Sequence, residues 1–146
     1  MKLRFAPIVC GVALAIARPA FAGDASCDYV EIKATADGAI DPSLAALKSK
    51  LQQPPFNGWK GFTLLKQGTV ALTKGKAQAL ALKVGAGSVL LRDRDAKQVA
   101  LAVTIDGGDG TRLVDTKSSI ALGDWLLLGD NKSSSKEGHI VGLTCK

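Results

Sequence analysis

The chain carries one histidine, His139, and that bounds the acid–base and metal chemistry open to it. A histidine that binds metal needs a second ligand, and none lies near it in sequence. His139 sits at the start of a predicted last strand and reads as a surface residue. There is no H-E-x-x-H, no G-x-S-x-G and no P-loop. Ser133-Ser134-Ser135-Lys136 has S-x-x-K spacing. That chemistry needs the lysine one helical turn from a buried serine, whereas both fall in a predicted polar loop. Asp93 and Asp95 are close enough for a carboxylate pair, but Arg92 and Arg94 alternate with them, the pattern of a solvated hairpin end with local charge pairing. Asp106-Gly107-Gly108-Asp109-Gly110 places two carboxylates near flexible carbonyls that could hold calcium. It lacks the alternating acids and distal glutamate of a calcium loop and is read as a hairpin turn. We therefore expect no catalytic, cofactor-binding or metal-binding residues.

Two other groups remain. Phe56, Trp59 and Phe62 fall within seven positions, flanked by Pro54-Pro55, Gly58 and Gly61. Exposed, these rings could stack on sugars or anchor a protein partner, because aromatic side chains bury much area at little entropy cost. Buried, they would plug the core where the chain crosses back to a sheet. Trp125, in Asp124-Trp125-Leu126-Leu127-Leu128, reads as part of a core strand. The second group is the cysteines. Cys10 lies in an apolar leader, which leaves Cys27 and Cys145 as an even pair near the two ends, expected to form a disulfide.

The leader is residues 1–22. Lys2 and Arg4 precede an uncharged, mostly apolar stretch from Phe5 to Ala17, and Ala20-Phe21-Ala22 offers small residues at a cleavage site, so a secretory signal peptide is expected. Its apolar stretch is shorter than the roughly 20 residues a membrane-spanning helix needs. Residues 23–146 are expected to form one β-rich domain, exported to the periplasm or beyond, with no transmembrane segment. Removing Lys2, Arg4 and Arg18 leaves 16 basic residues against 13 acidic ones, a net +3 in place of +6. The charges are mixed along the chain, with no basic stripe interleaved with aromatics, so nucleic acid is not an expected partner.

The elements that must position these groups are mainly strands. Tyr29 to Thr35 alternates, with Val30, Ile32 and Ala34 on one face and Glu31 and Lys33 on the other, the pattern of a half-buried strand. Asp41-Pro42 opens a helix expected over Pro42 to Gln53, with Leu44, Leu47 and Leu51 on one stripe and Pro54-Pro55 as its stop. Short predicted strands follow over Phe62–Gln67, Thr69–Thr73, Ala77–Val84, Ser88–Arg92, Gln98–Ile105, Thr111–Ser118, Asp124–Leu128 and His139–Cys145, divided by glycine-rich turns. Eight or nine short strands with one amphipathic helix imply an antiparallel β-sandwich or open barrel.

Ile40-Asp41-Pro42, Leu44, Leu47 and Leu51, then Pro55-Phe56, Trp59, Phe62 and Leu64-Leu65, resemble the front half of a group of small exported bacterial proteins of uncharacterised function. Leu113-Val114-Asp115-Thr116, Gly123 and Leu126-Leu127-Leu128-Gly129 are similar to their back half. The resemblance implies an exported bacterial β-rich domain and transfers no functional residue. With the missing catalytic groups, it leads us to expect a non-enzymatic binding or structural accessory module of the cell envelope, whose partner is an envelope protein or polysaccharide. The alternative is binding of carbohydrate or envelope polysaccharide through Phe56, Trp59 and Phe62.

Overall fold

A computed structural model describes residues 24–129 and 137–146. The expected signal peptide, Cys10 and the Ser133–Lys136 spacing lie outside the described residues. Eight strands follow in order: β1 (Ala25–Thr35), β2 (Gly61–Leu72), β3 (Ala77–Leu80), β4 (Ala86–Arg94), β5 (Gln98–Asp106), β6 (Arg112–Ala121), β7 (Trp125–Gly129) and β8 (Glu137–Cys145). They form two antiparallel four-stranded sheets, ordered β2-β1-β8-β7 and β3-β4-β5-β6. This is a β-sandwich. Each strand pairs with a sequence neighbour or passes to the facing sheet, and only the pairing of β1 with β8 joins distant parts of the chain.

The first sheet is packed on both faces, the outer one only in part. Cys27 and Tyr29 of β1 pack with Val141, Leu143 and Cys145 of β8 against Val89, Leu91, Leu101, Val103 and Ile105 of the second sheet. Val30, Ile32 and Ala34, in the other phase of β1, pack with Ile140 beneath the helical segment. That segment is a 3-10 helix over Pro42–Leu47 followed by a one-turn α-helix, α1 (Lys48–Leu51). Asp41 caps it, accepting hydrogen bonds from the Ser43 amide and hydroxyl, and Leu44, Leu47 and Leu51 face the sheet, buried. The expected apolar stripe is present, on a helix shorter and tighter at its start than the sequence suggested. The non-helical backbone of Leu44 (φ −100°, ψ 15°) interrupts the first turns and keeps them from becoming a regular α-helix.

The pairing of β1 with β8 places Cys27 directly opposite Cys145, and the two are joined by a disulfide across 118 residues. Ser26 and Lys146 exchange both backbone hydrogen bonds, so the adjacent cysteines occupy a non-hydrogen-bonded site, where facing strands come closest. Their Cα atoms are 4.0 Å apart.

Of the boundaries that differ from those read in the sequence, two have a cause far away in the chain. Gly68 does not interrupt β2. It pairs with Tyr29, and a Cβ there would lie 2.7 Å from the Tyr29 hydroxyl oxygen, so the phenol occupies the place a side chain would take. β3 ends at Leu80 rather than Val84, because the Lys83 and Val84 amides turn away from the ladder to a buried carboxylate. Gly85 (φ +79°) then carries the chain past Asp106, whose carbonyl oxygen would lie 2.0 Å from a Cβ at that position. Only glycine fits.

Candidate functional site

That carboxylate belongs to Glu31. The sequence placed Glu31 and Lys33 on a solvent face of β1, but the face is turned toward the second sheet. The register sets Glu31 opposite Val141 and Lys33 opposite His139, so Glu31 and His139 are diagonal neighbours on one inner face. Glu31 has no exposed surface. Its Oε1 accepts from the Lys83 amide at 2.6 Å, and its Oε2 from the Val84 amide at 3.0 Å. The His139 ring contributes a third contact, Nε2 to Oε2 at 2.6 Å. A carboxylate can only accept here, so Nε2 is the donating nitrogen.

His139 is therefore not the surface residue expected. Its side chain keeps 14% of its surface exposed, and Nδ1 is sealed from solvent with no hydrogen-bond partner among the described residues. One ring nitrogen is bound to Glu31 and the other is buried. The pair bolts the 81–85 segment onto β1 and β8, as the Tyr29 hydroxyl does one step deeper by donating to the Ala81 carbonyl at 3.2 Å. Beside the bolt is a cavity of about 310 Å³. Its polar rim is the Lys33–Glu137 ion pair, 3.0 Å, and Lys83; Leu65 and Val84 form its apolar wall.

The Phe56, Trp59, Phe62 cluster folds inward. Phe56 is 6% and Phe62 1% exposed, both within the apolar cluster under the helical segment. Trp59 is half-buried, its ring lying about 3 Å from where a Cβ on Gly138 would be. The burial has a local cause. The 3-10 turn Phe56–Gly58 points Phe56 back under α1, and Phe62 opens β2 opposite Ala34 on the face the helix covers.

The other end of that face is uncovered and forms a groove of about 480 Å³ between the 3-10 helix and the sheet. Leu44, Leu47 and Val30 supply its floor, and Asp28, Gln67, Thr69, Ser43 and Trp125 its rim. Thr69 lies opposite Asp28 in the ladder and donates to its Oδ1 at 2.7 Å. Trp125 is half-buried beside Gly142 of β8, where a Cβ would lie 3.5 Å from the indole and 2.9 Å from both Val30 and Leu127. The missing side chain lets the ring settle against the sheet. Asp124 fixes the start of β7: it accepts from the Trp125 amide and pairs with Lys50 of α1 at 3.3 Å, contacts that hold its carboxyl below the usual carboxylate range.

The acids of the two candidate motifs at 93–95 and 106–110 make turn and hairpin contacts. Asp109 accepts from the Thr111 amide and Asp106 pairs with Arg112, the contacts of a turn. Asp93 accepts from the Arg94 amide and from Lys74, and both lower its pKa; Asp95 accepts from the Lys97 and Gln98 amides. Among the described residues, no group of three or more His, Cys, Asp or Glu side chains could hold a metal ion, and no helix is long and apolar enough to cross a membrane. Neither Glu31 nor Trp125 stood out in the sequence. The signal for Glu31 was present: Ala25, Cys27 and Tyr29 share its phase, so β1 is apolar on both faces and a charge there is buried. Comparison with known proteins finds no family model, no curated protein and no solved structure that matches this chain.

Proposed function

We propose that the chain is a non-enzymatic binding module, exported to the bacterial periplasm or beyond, whose partner is an envelope polysaccharide or protein. The observation that carries this reading is the engagement of the one histidine. With Nε2 held by Glu31 and Nδ1 sealed, the Glu31–His139 pair works as a structural bolt, and the acid and base at the cavity beside it, Glu137 and Lys33, are engaged with each other. The Cys27–Cys145 disulfide suits an oxidising compartment, and the open groove over the first sheet offers a preformed concave surface with an apolar floor and few polar groups, the usual make-up of a ligand site.

The test combines binding with turnover. Purified oxidised protein is sedimented with isolated envelope polysaccharide and passed over solubilised envelope proteins, and is assayed in parallel on ester, peptide and glycoside substrates. Saturable binding without turnover is expected. Turnover that His139→Asn abolishes, or no binding to either fraction, overturns the proposal.

A further inference from the structure

We infer that the groove beside Trp125 is a saccharide subsite, which takes a neutral, hydroxyl-rich sugar ring of a glycan. The inference rests on the binding-module reading and names its ligand class. A sugar ring presents an apolar C–H face and a rim of hydroxyl groups, and the groove offers a counterpart for each. The half-buried Trp125 indole provides an aromatic surface against the apolar floor of Val30, Leu44 and Leu47. On the rim, Asp28 Oδ1 takes the Thr69 hydroxyl, and among the described residues Oδ2 has no donor. The exposed Gln67 amide has no protein partner there either. These groups are a carboxylate acceptor, a two-way amide and an aromatic ring, set around one concavity.

The sign of the charge narrows the ligand. Among the described residues, the lining holds one carboxylate, Asp28, and no lysine or arginine. A phosphate, a sulfate or a uronic acid would meet an acceptor with no cation to balance it, whereas sugar hydroxyls donate to a carboxylate through charge-assisted bonds. The volume of about 480 Å³ lies within the range of small-molecule sites, roughly 300–1,000 Å³. The rim is also fixed in advance: Asp28 is held by Thr69, and Trp125 by Gly142 and by Asp124, itself tied to α1 through Lys50. A rim held in place before binding avoids part of the ordering cost.

The test uses the Trp59→Phe protein, in which Trp125 is the one remaining tryptophan, titrated with neutral di- to tetrasaccharides built from glucose, galactose, mannose and N-acetylglucosamine. Saturable change in Trp125 emission with at least one of them is expected, with an oligogalacturonide weaker. Asp28→Asn should weaken binding about tenfold, and Trp125→Ala on the order of thirtyfold, followed by calorimetry. Should Trp125→Ala fail to fold, Asp28→Asn and Gln67→Ala, on exposed or half-exposed positions, carry the test. No binding across the panel, binding unaffected by both Asp28→Asn and Gln67→Ala, or preference for the oligogalacturonide or an oligolysine peptide overturns the inference. If the sugars fail while an envelope protein still binds, the binding-module reading survives without this ligand; if both fail, both fall.

Discussion

Replacing Glu31 by glutamine keeps the shape of the side chain and removes its charge, so it isolates the bolt at the end of the sandwich. Three donors, the Lys83 and Val84 amides and His139 Nε2, converge on two carboxylate oxygens. A glutamine has one acceptor oxygen and a donating NH2. In its best orientation the oxygen serves Val84 and His139 while the NH2 faces the Lys83 N–H, leaving that amide unpaired. An unsatisfied buried donor costs about 1–3 kcal/mol. The two surviving bonds lose their charge assistance, about 1 kcal/mol each. Part of this is returned because the ionised carboxylate no longer has to be desolvated. A net loss of about 2–4 kcal/mol follows, large beside a total stability of roughly 5–15 kcal/mol. Guanidinium unfolding of the oxidised protein measures it, and native-state amide exchange locates it: the Lys83 and Val84 amides should lose protection first. Lys33→Gln, which breaks only the exposed pair with Glu137, serves as control and should change stability by less than about 1 kcal/mol. If Glu31→Gln matches the wild type within about 0.5 kcal/mol, or leaves the Lys83 and Val84 amides as protected as before, the bolt is not what holds the 81–85 segment.

Other perturbations give further checks. Joint Cys27→Ala and Cys145→Ala replacement opens the 118-residue span and should cost about 5 kcal/mol by chain entropy, less any native strain; calorimetry that finds the melting temperature unmoved would refute the clasp. Gly85→Ala meets both a positive φ and the Asp106 carbonyl, so a loss of about 2–4 kcal/mol is expected, whereas Gly75→Ala, with positive φ but open space, should cost about 1 kcal/mol. In acid, Asp41, held below its ordinary value chiefly by the Ser43 hydroxyl and next by the Ser43 and Leu64 amides, should add stability that is complete above pH 3.8 and lost as pH falls through its lower folded value. Asp41→Asn should therefore flatten the acid limb of the stability curve below that pH, and an unchanged limb would count against the cap.

Much of the fold was legible because apolar periodicity is a local property. The alternation in Gln98–Asp106, the cap at Asp41-Pro42 and the glycine turn at 107–110 each specify structure from a few adjacent residues. The two cysteines could be paired because the count left no other partner. What escaped was decided by residues far apart in sequence. Gly68 reads as a break until Tyr29, 39 positions earlier, lies across it. Leu80 reads as mid-strand until Glu31 captures the amides at 83 and 84. The candidate groove was invisible for the same reason: Asp28, Gln67 and Trp125 meet only through the register of β1 with β2 and of β8 with β7, and Trp125 stands in a run of leucines that suggests nothing but core.

The groove itself follows from a mismatch of lengths. β1 has 11 residues, which at about 3.3 Å each makes roughly 36 Å of strand. The helical segment Pro42–Leu51 has 10 residues, and at about 1.5–2.0 Å each its length is roughly 15–20 Å. Whatever its direction across the sheet, it cannot cover the whole outer face. The half that it covers holds Ile32, Ala34 and Phe62; the half left open begins at Val30 and turns polar at Asp28 and Thr69. An uncovered apolar sheet face invites association with other chains, and residues that only had to avoid this could be any charged or polar types. Here the open half carries a tryptophan seated by a glycine, a carboxylate with one oxygen engaged and, among the described residues, no balancing cation. A merely solubilising surface has no need of that combination. Substituting Gln67 and Thr69 together by lysine separates the two roles: it keeps the face polar and should leave solubility and melting temperature unchanged within experimental error, while abolishing saccharide binding. Retained binding in that variant would reduce the groove to ordinary surface.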